Sequence, residues 1–369
     1  MPESSSFASY LKLATMSQLH PVIIIGAGQA GLATAYHLEQ LGFKPLLLEA
    51  HARIGDGWRM RWDSLRLFSP AKYSGLPGWE FPLPSIEFPT KEQVADYLEN
   101  YALRFGLRVR NGAVVESLAQ DACGFTIALS GGVNLRAMQV VIATGAFGKP
   151  FLPSFIQQPA SEIVQMHASQ YRNPAQLPGK PVLVIGTGAS GSQIAAELAK
   201  THKVYLSGRD VGNLPRKFLG KDIYWWLYAS GVMNIRRDSW LGRRMAKGNG
   251  GDLLIGNSLK NIVAASGLLR RGKLMGFEGG LPIFEDGQTA NDIGCILWAT
   301  GYRNDYGWIS PSVVDAKSWP IHQRGVVAAV PGLYFVGLRF MYRVDSSNIG
   351  GMGRDAAYIA QTIAGKMKS

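Results

Sequence analysis

The stretch that decides the fold is Val22–Gly31, VIIIGAGQAG. Its apolar, β-branched opening reads as a strand buried on both faces of a parallel sheet. Gly26, Gly28 and Gly31 follow at G-x-G-x-x-G spacing, and a helical pattern runs from Ala30 to Leu41 before Gly42 stops it. Each glycine has a physical task. The first allows a tight turn, the second lets backbone approach a pyrophosphate, and the third lets helix and strand pack closely. The helix N-terminus then offers unpaired N–H groups to the phosphates. A second apolar run, Leu46–Leu48, ends in Glu49, 18 residues after Gly31. An acid there suits the hydroxyls of an adenosine ribose. The glycine spacing alone is weak, but strand, helix and acid together point to a dinucleotide site rather than a Gly-rich turn without a ligand.

The pattern recurs. Val182–Gly191 reads VLVIGTGASG, with Gly186, Gly188 and Gly191 each displaced by 160 from the first set and Ser190 between the last two. A helical run follows from Ser192 to Lys200. Position 209, displaced by 160 from Glu49, is Arg. A cation there suits the 2′-phosphate of NADPH, as the acid suits a free ribose hydroxyl in FAD or NAD. Asp210 beside Arg209 is discordant and leaves NADH use open; Ser207 is placed to help either cofactor.

Composition narrows the class. The 369 residues carry 38 Lys and Arg against 26 Asp and Glu, a net charge of +12. The cations are spread, apart from pairs at Arg236–Arg237, Arg243–Arg244 and Arg270–Arg271, and no nucleic-acid-binding motif accompanies them. Phosphate-rich cofactors account for the charge better than nucleic acid does. No apolar run approaches the ~20 residues of a membrane span, and residues 1–18 read as a flexible arm without the features of a secretory signal. The two cysteines, Cys123 and Cys295, form no CxxC or CxxxxC pair. An intramolecular dithiol cycle beside a flavin is therefore excluded, and cytoplasmic location is expected. No His, Cys or carboxylate cluster has metal-ligand spacing, so no metal is expected. Nothing in the sequence specifies an oligomer; a homodimer stays open.

Along the chain, a Gly-, Pro- and Trp-rich stretch of low periodicity follows Glu49. An irregular stretch that long is more often functional than filler; its Trp58, Trp62, Phe68 and Trp79 are of a type to build a dry lid. Thr90 and Gln93 form a capping-box signature. The helix they start has Val94, Leu98, Tyr101 and Phe105 on one face. Strands are expected at Val109–Leu118 and Phe125–Leu129. Val140–Ile142 runs into Ala143-Thr144-Gly145, and Ile296–Trp298 into Ala299-Thr300-Gly301. The expected architecture is α/β with two Rossmann-like dinucleotide-binding domains of three-layer ββα type. One, at 165–295, is inserted into the other, at 19–164 and 296–369. A final helix, Arg354–Lys366, either turns its N-terminus toward a flavin phosphate or ring or simply docks the end of the chain. The segment Ile223–Trp240 is a dense aromatic patch beside basic residues, read as core, substrate wall, subunit contact or membrane-surface anchor.

These residues resemble the class B flavin-dependent monooxygenases, closest to their short bacterial members. The matching pieces are GAGQAG with Glu49, Gly57-Trp58, Asp63–Pro70 with Pro89-Thr90-Lys91, Ala143-Thr144-Gly145, His167-x-x-x-Tyr171-Arg172, GTGASG and Trp298–Tyr302. The aromatic and glycine that precede the family's histidine are Ser161 and Ile163 here. The resemblance implies that FAD lies on Gly26, Gly28, Gly31 and Glu49, with Trp58 near the flavin and Val114 offering backbone to the adenine. NADPH lies on Gly186, Gly188, Ser190, Gly191 and Arg209. Ser69 is placed near the flavin and His167 at the linker between domains. It further implies hydride transfer from NADPH to FAD, reaction of the reduced flavin with O2 at its C4a carbon, and delivery of one oxygen atom to a small lipophilic substrate. A reductase passing electrons to a partner protein, or a non-catalytic redox sensor, is the alternative on the same scaffold.

Overall fold

Strand β1 (Leu19–Ile25) is central to the larger of two main sheets, beside four two-stranded ones among the described residues, in a computed structural model of the protein, which describes residues 19–155, 158–247, 254–256 and 258–368. The expected arm, 1–18, lies outside them. β1 pairs in parallel with β2 (Leu46–Leu48) and with β6 (Asn134–Ile142), at registers Ile25↔Leu48 and Ile25↔Ile142. β3 (Arg108–Arg110) adds beside β2. On the other side β4 (Val115–Asp121) and β5 (Gly124–Leu129) run antiparallel into β6. The expected single strand Val109–Leu118 is two strands. The chain turns between them at Gly112, whose φ is +65°, so that the Ala113 amide can reach the Glu49 carbonyl at 2.8 Å.

The apolar run of β1 is buried because each face has a cover. Val22 and Ile24 pack with helices α1 (Gln29–Gln40), α2 (Lys91–Arg104) and the last helix. Ile23 and Ile25 pack with Leu118, Phe125 and Ile127 of the antiparallel strands. Burying two such isoleucine side chains contributes about 2 kcal/mol each. The α2 capping box forms: Gln93 N–H donates to Thr90 Oγ1 at 3.2 Å and Thr90 N–H to Gln93 Oε1 at 2.9 Å, worth about 1 kcal/mol. Val94, Leu98 and Tyr101 are buried beneath it.

The smaller sheet is wholly parallel. β7 (Val164–His167), β8 (Val182–Ile185), β9 (Val204–Ser207), β10 (Leu269–Arg271) and β11 (Cys295–Trp298) stand in the order β10-β9-β8-β11-β7. Val182 and Val184 face α3 (Ala189–Leu198), while Leu183 and Ile185 face the hairpin Leu274–Glu278/Leu281–Phe284. The helix–sheet–strand layering of the larger sheet is thus repeated. Because β11 pairs with β8 and β7, the chain leaves the smaller sheet after Trp298, slightly later than position 296. It rejoins the larger sheet through β12 (Ile309–Ser310) and β13 (Leu333–Phe335), and ends in α4 (Gly353–Lys368).

The aromatic loop after Glu49 is a fastening rather than a lid. Trp62 is buried in the core beneath the smaller sheet with Tyr171 and Leu177, and Trp79 lies against the Tyr97 ring at 5.0 Å. Lys91, 5% exposed, donates from Nζ to the carbonyls of Arg59 (2.9 Å) and Arg61 (2.8 Å) and to Asp63 Oδ1 (3.0 Å). Asp63 in turn takes the Asn173 amide at 2.8 Å. A short sequence motif around Lys91 is therefore the clasp that joins the loop to the segment after His167.

Candidate functional site

The two glycine turns are built alike. Gly26 sits at φ +106° and Gly186 at +115°. A Cβ on Gly26 would stand 2.5 Å from the Ala143 carbonyl oxygen, and one on Gly186 2.2 Å from that of Ala299. The small-residue turns after β6 and β11 therefore run directly beneath the cradles, which accounts for the repeated Ala-Thr-Gly. A Cβ on Gly31 or Gly191 would lie 1.9 Å from the carbonyl oxygen of Gly26 or Gly186. At Gly28 and Gly188, the N-caps of α1 and α3, nothing lies within 4 Å. Neither cap carries a side-chain bond, so the first-turn amides stay available to an anion. This open cap over a sterically obligatory turn fits a pyrophosphate in both places.

The second strands differ. Glu49 is 9% exposed; its Oε2 accepts the Ala27 N–H at 3.0 Å, and its Oε1 faces His51 Nδ1 at 2.6 Å. Burial raises the Glu49 carboxyl, but hydrogen bonds from His51 and the Ala27 amide together outweigh it and hold the group below its ordinary value. The same bond raises the His51 imidazole. Two more of the expected residues flank the first cradle. Val114 follows Ala113, whose amide bonds the Glu49 carbonyl, and Trp58 donates its indole N–H to Gln29 Oε1 at 3.4 Å, at the first position of α1. Gln29 had no signal in the spacing beyond its place after Gly28.

In the second cradle the repeat slips by one residue. Gly26 N–H bonds the Leu48 carbonyl, and Gly186 N–H bonds the Ser207 carbonyl, both at 2.8 Å. The place of Glu49 is thus taken by Gly208, with φ +152°, and not by Arg209. Where the first cradle has a carboxylate, the second has no side chain, and the exposed Arg209 stands one residue further on. Thr187 Oγ1 braces this turn by donating to the Arg209 carbonyl. Ser207 cannot help a ribose: it is fully buried and donates to the Gly272 carbonyl at 2.7 Å. Asp210 has a partner of its own. Arg270, on β10, donates to the carbonyls of Leu206 (2.9 Å) and Gly208 (2.6 Å) and pairs with Asp210 at 3.3 Å. It fixes the turn and draws the acid aside. Sequence spacing holds no signal for this, because Arg270 arrives from a neighbouring strand.

His167 closes β7 against the second small-residue turn. Ser169 N–H donates to its Nδ1 at 3.1 Å, so the ring hydrogen is on Nε2, which donates to the Gly301 carbonyl at 3.1 Å. Burial lowers its proton affinity, against the pull of the Gly301 carbonyl. Its ring meets Tyr302 edge-on at 5.2 Å. Beside it a cavity of about 80 Å³ is lined by Arg61, Trp62, His167, Ser190, Gly191 and Tyr302. Arg61 donates to Tyr302 Oη at 2.9 Å and lies over the Phe147 ring at 4.1 Å. This cation, at the mouth of the α3 N-terminus, went unrecognised in the sequence. Ser69 lies elsewhere, its Oγ 3.0 Å from that of the buried Ser74; no hydrogen bond links it to His167 among the described residues. A larger cavity of about 380 Å³ opens nearby in the chain, walled by Tyr73, Leu76, Phe81, Leu83, Tyr228 and Gly350.

The N-terminus of α4 carries two acids. Asp345, 1% exposed, and Asp355, 2% exposed, are buried there, and burial raises both carboxyls. Among the described residues both Asp345 carboxyl oxygens and Asp355 Oδ1 lack a hydrogen-bond partner, although Arg354 pairs with Asp345 Oδ2 at 3.7 Å. Buried acids oppose a phosphate but fit hydroxyl groups such as those of a ribityl chain.

Two like-built Rossmann cradles in one chain, one acidic and one cationic at the adenosine end, define a two-nucleotide oxidoreductase. Residues 23–217 match the family model described as pyridine nucleotide-disulphide oxidoreductase. An uncharacterized CzcO-like oxidoreductase of Geobacillus kaustophilus is 40% identical over 350 residues, 94% of this chain and 99% of the relative. A probable indole-3-pyruvate monooxygenase, YUCCA1 of Arabidopsis thaliana, is 30% identical over 319 residues, 78% and 76% of the two chains. The solved flavin-containing monooxygenase from Stenotrophomonas maltophilia superposes with a TM-score of 0.77 at 24% identity, over 95% of this chain and 99% of that one. The chain belongs to the pyridine nucleotide-disulphide oxidoreductase family and, within it, to the class B flavin-dependent monooxygenases, enzymes that work with FAD and NADPH. The two cysteines form no disulphide with each other. Cys123 is exposed in the β4–β5 turn and Cys295 is buried in β11, both free, and burial pushes the Cys295 thiol up to about 11.

Proposed function

We propose that the larger lobe, residues 19–163 and 299 onward, holds FAD, and that the smaller, 164–298, holds NADPH, the enzyme using both to oxygenate a small lipophilic molecule. The observation that carries this reading is the pair of cradles with the same backbone and opposite charge at the adenosine end. FAD and NADPH, when bound, supply hydride transfer and oxygen activation. The chain supplies position and dryness. Gly26, Gly28 and Gly31 receive the FAD pyrophosphate, Glu49 its adenosine ribose, Val114 the adenine, and Trp58 closes over the α1 N-terminus. Gly186, Gly188, Ser190 and Gly191 receive the NADPH pyrophosphate with Arg61 as counter-charge, and Arg209 the 2′-phosphate in the space left by Gly208. His167 has both ring nitrogens engaged, so it acts as a positioning residue that sets the crossover turn rather than as a proton donor. Ser69, on the loop that Arg216 grips at the Phe68 carbonyl (2.7 Å), is assigned to the flavin side. The Tyr73–Tyr228 cavity has the size of a small-molecule pocket, with Leu76, Phe81 and Leu83 on its wall beside the polar Lys72, Glu80 and Ser85. Sulfur or nitrogen oxygenation and Baeyer–Villiger insertion are all chemistry of this class.

The test is NADPH-driven oxygen uptake with mass analysis of products under isotopically labelled O2, across sulfide, amine and ketone panels. Label in one product, one atom per NADPH consumed, supports the reading. Quantitative release of peroxide with no labelled product in any panel refutes it.

A further inference from the structure

The segment after the second cradle carries more positive charge and more bare apolar surface than packing requires. Between positions 216 and 244 stand seven Lys and Arg against two Asp. Both acids are already taken, Asp222 by Arg216 at 2.7 Å and Asp238 by Arg236 at 2.5 Å. Lys217 and Lys221 stand on the two strands of a tight hairpin, Lys217–Phe218/Lys221–Asp222, Lys217 opposite Asp222 and Lys221 opposite Phe218. Both are exposed, and neither has a salt bridge among the described residues. At the tip, Phe218 is 50% and Leu219 75% exposed, and Leu219 holds φ +46°, unusual for a residue of its shape. Trp225 lies alongside, 38% exposed, with Lys221 Nζ 5.9 Å from its ring.

This apolar tip stands on a firm mount. Trp226 donates its indole N–H to the Phe218 carbonyl at 2.8 Å and meets the Phe218 ring edge-on at 5.8 Å. At the root, Arg216 lies over the Phe88 ring at 3.9 Å while pairing with Asp222. A second feature of the same character follows in the chain. The helix Trp240–Lys247 leaves Trp240 73%, Leu241 42% and Met245 39% exposed, beside exposed Arg243 and Arg244. Exposed aromatic and aliphatic side chains interleaved with exposed cations match a bilayer interface, where the apolar groups enter the acyl boundary and the cations meet anionic headgroups. A second copy of this chain fits worse. It would bring lysine against lysine between molecules of net charge +12, over a tip too narrow for a stable interface.

The mount also connects to the cavity. The short helix Ile223–Ala229 turns Trp225 outward and Tyr224 and Tyr228 inward, their rings 5.9 and 4.7 Å from that of Tyr73. Tyr73 and Tyr228 wall the 380 Å³ cavity. We propose that the hairpin at 217–222, with Trp225, seats this enzyme on the surface of an anionic bilayer, so that lipophilic substrate enters the Tyr73–Tyr228 cavity from the lipid. The substrate clause rests on the function proposed above; the docking clause does not.

The experiment is co-sedimentation of the purified full chain with phosphatidylcholine vesicles, with and without phosphatidylglycerol. Binding is expected only with the anionic lipid. Phe218→Ser with Leu219→Ser should weaken it at least about tenfold by removing the inserted groups. Lys217→Glu with Lys221→Glu should weaken it roughly thirtyfold or more, and raised salt should act in the same direction. Melting temperature and NADPH oxidation in solution should be unchanged in both variants. Failure to sediment with anionic vesicles overturns the proposal, as does equal binding by the tip variants. A tip variant that changes oligomeric state and leaves vesicle binding intact makes the hairpin a subunit contact and also overturns it. A protein that binds vesicles but retains no flavin refutes only the function proposed above.

Discussion

The two cradles share a backbone and differ in one slot. In the first, the residue after the second strand is Glu49, buried and fixed by the Ala27 amide. In the second, the equivalent residue is Gly208, and the polar work of the turn moves to Thr187 and Arg270. On the function proposed above, one side chain present or absent at that slot decides whether the adenosine end welcomes a hydroxyl or a phosphate. A carboxylate there repels a 2′-phosphate and accepts two hydroxyls. A glycine leaves a space that Arg209 can line. The difference teaches that cofactor choice here comes from removing an acid at least as much as from adding a cation.

The largest effects should come from breaking each cradle in turn. An alanine at Gly31 or Gly191 puts a methyl 1.9 Å from a backbone carbonyl, a clash that neither strand nor helix can yield to without opening the turn. Gly31→Ala should purify colourless. Gly191→Ala should stay yellow but accept hydride from NADPH at least about a hundredfold more slowly. Absorbance of the purified proteins and stopped-flow reduction give the answer, with circular dichroism as the folding control. If Gly191→Ala loses flavin while Gly31→Ala keeps it, the two sides have been assigned the wrong way round.

Much of this plan was legible along the chain, because glycine spacing and strand hydrophobicity are local. Gly26 and Gly186 are required by a positive φ and by a neighbour that follows a strand, and both leave marks in sequence. The rest depends on pairings across the sheet. The one-residue slip between Glu49 and Gly208 is set by which carbonyl the first glycine's N–H reaches, and a fixed offset of 160 cannot show that. Trp62 reads as a lid residue from its neighbours but is drawn into the core under the smaller sheet, since Lys91 and Asp63 fasten its loop there. Arg270 and Arg61 are chemically ordinary until β10 and the Tyr302 turn bring them to the second cradle. Ser207 looks available by position but is spent on Gly272.

Substitutions that leave the backbone alone should have intermediate effects and separate the two charges of the second cradle. Arg209→Ala should raise KM for NADPH about ten- to fiftyfold with little change for NADH, the loss of one charge-assisted contact. Arg270→Met frees Asp210 to turn toward the phosphate, and should raise KM for NADPH about fivefold while leaving flavin content intact. Adding Asp210→Asn to Arg270→Met should recover most of that loss if the acid is what Arg270 restrains. No recovery would mean that Arg270 matters only through the carbonyls of Leu206 and Gly208.

The smallest effect is a pH dependence confined to the first cradle. The Glu49 carboxyl is held below its ordinary value of 4.5, so its contribution is present above that value and is lost as pH falls through the lower folded one. The His51 imidazole is held above its ordinary value of 6.5, so its contribution is full below 6.5 and is lost as pH rises through the higher folded one. The pair therefore stabilises the flavin-free protein most between about pH 4.5 and 6.5. The His51 side chain is 38% exposed, so solvent screening limits the gain to about 0.5 kcal/mol, roughly one degree in Tm for a chain of this size. The expected result is that His51→Gln lowers the Tm of flavin-free protein near pH 5.5 and matches the wild type near pH 8.5. An equal loss at both values would mean that the His51 ring acts as a neutral donor and that the backbone amides of Ala27 and His51 hold the charge on Glu49. The second cradle, with Gly208 in the acid's place, has no titrating pair at this slot, so a pH effect of this origin belongs to the flavin side alone.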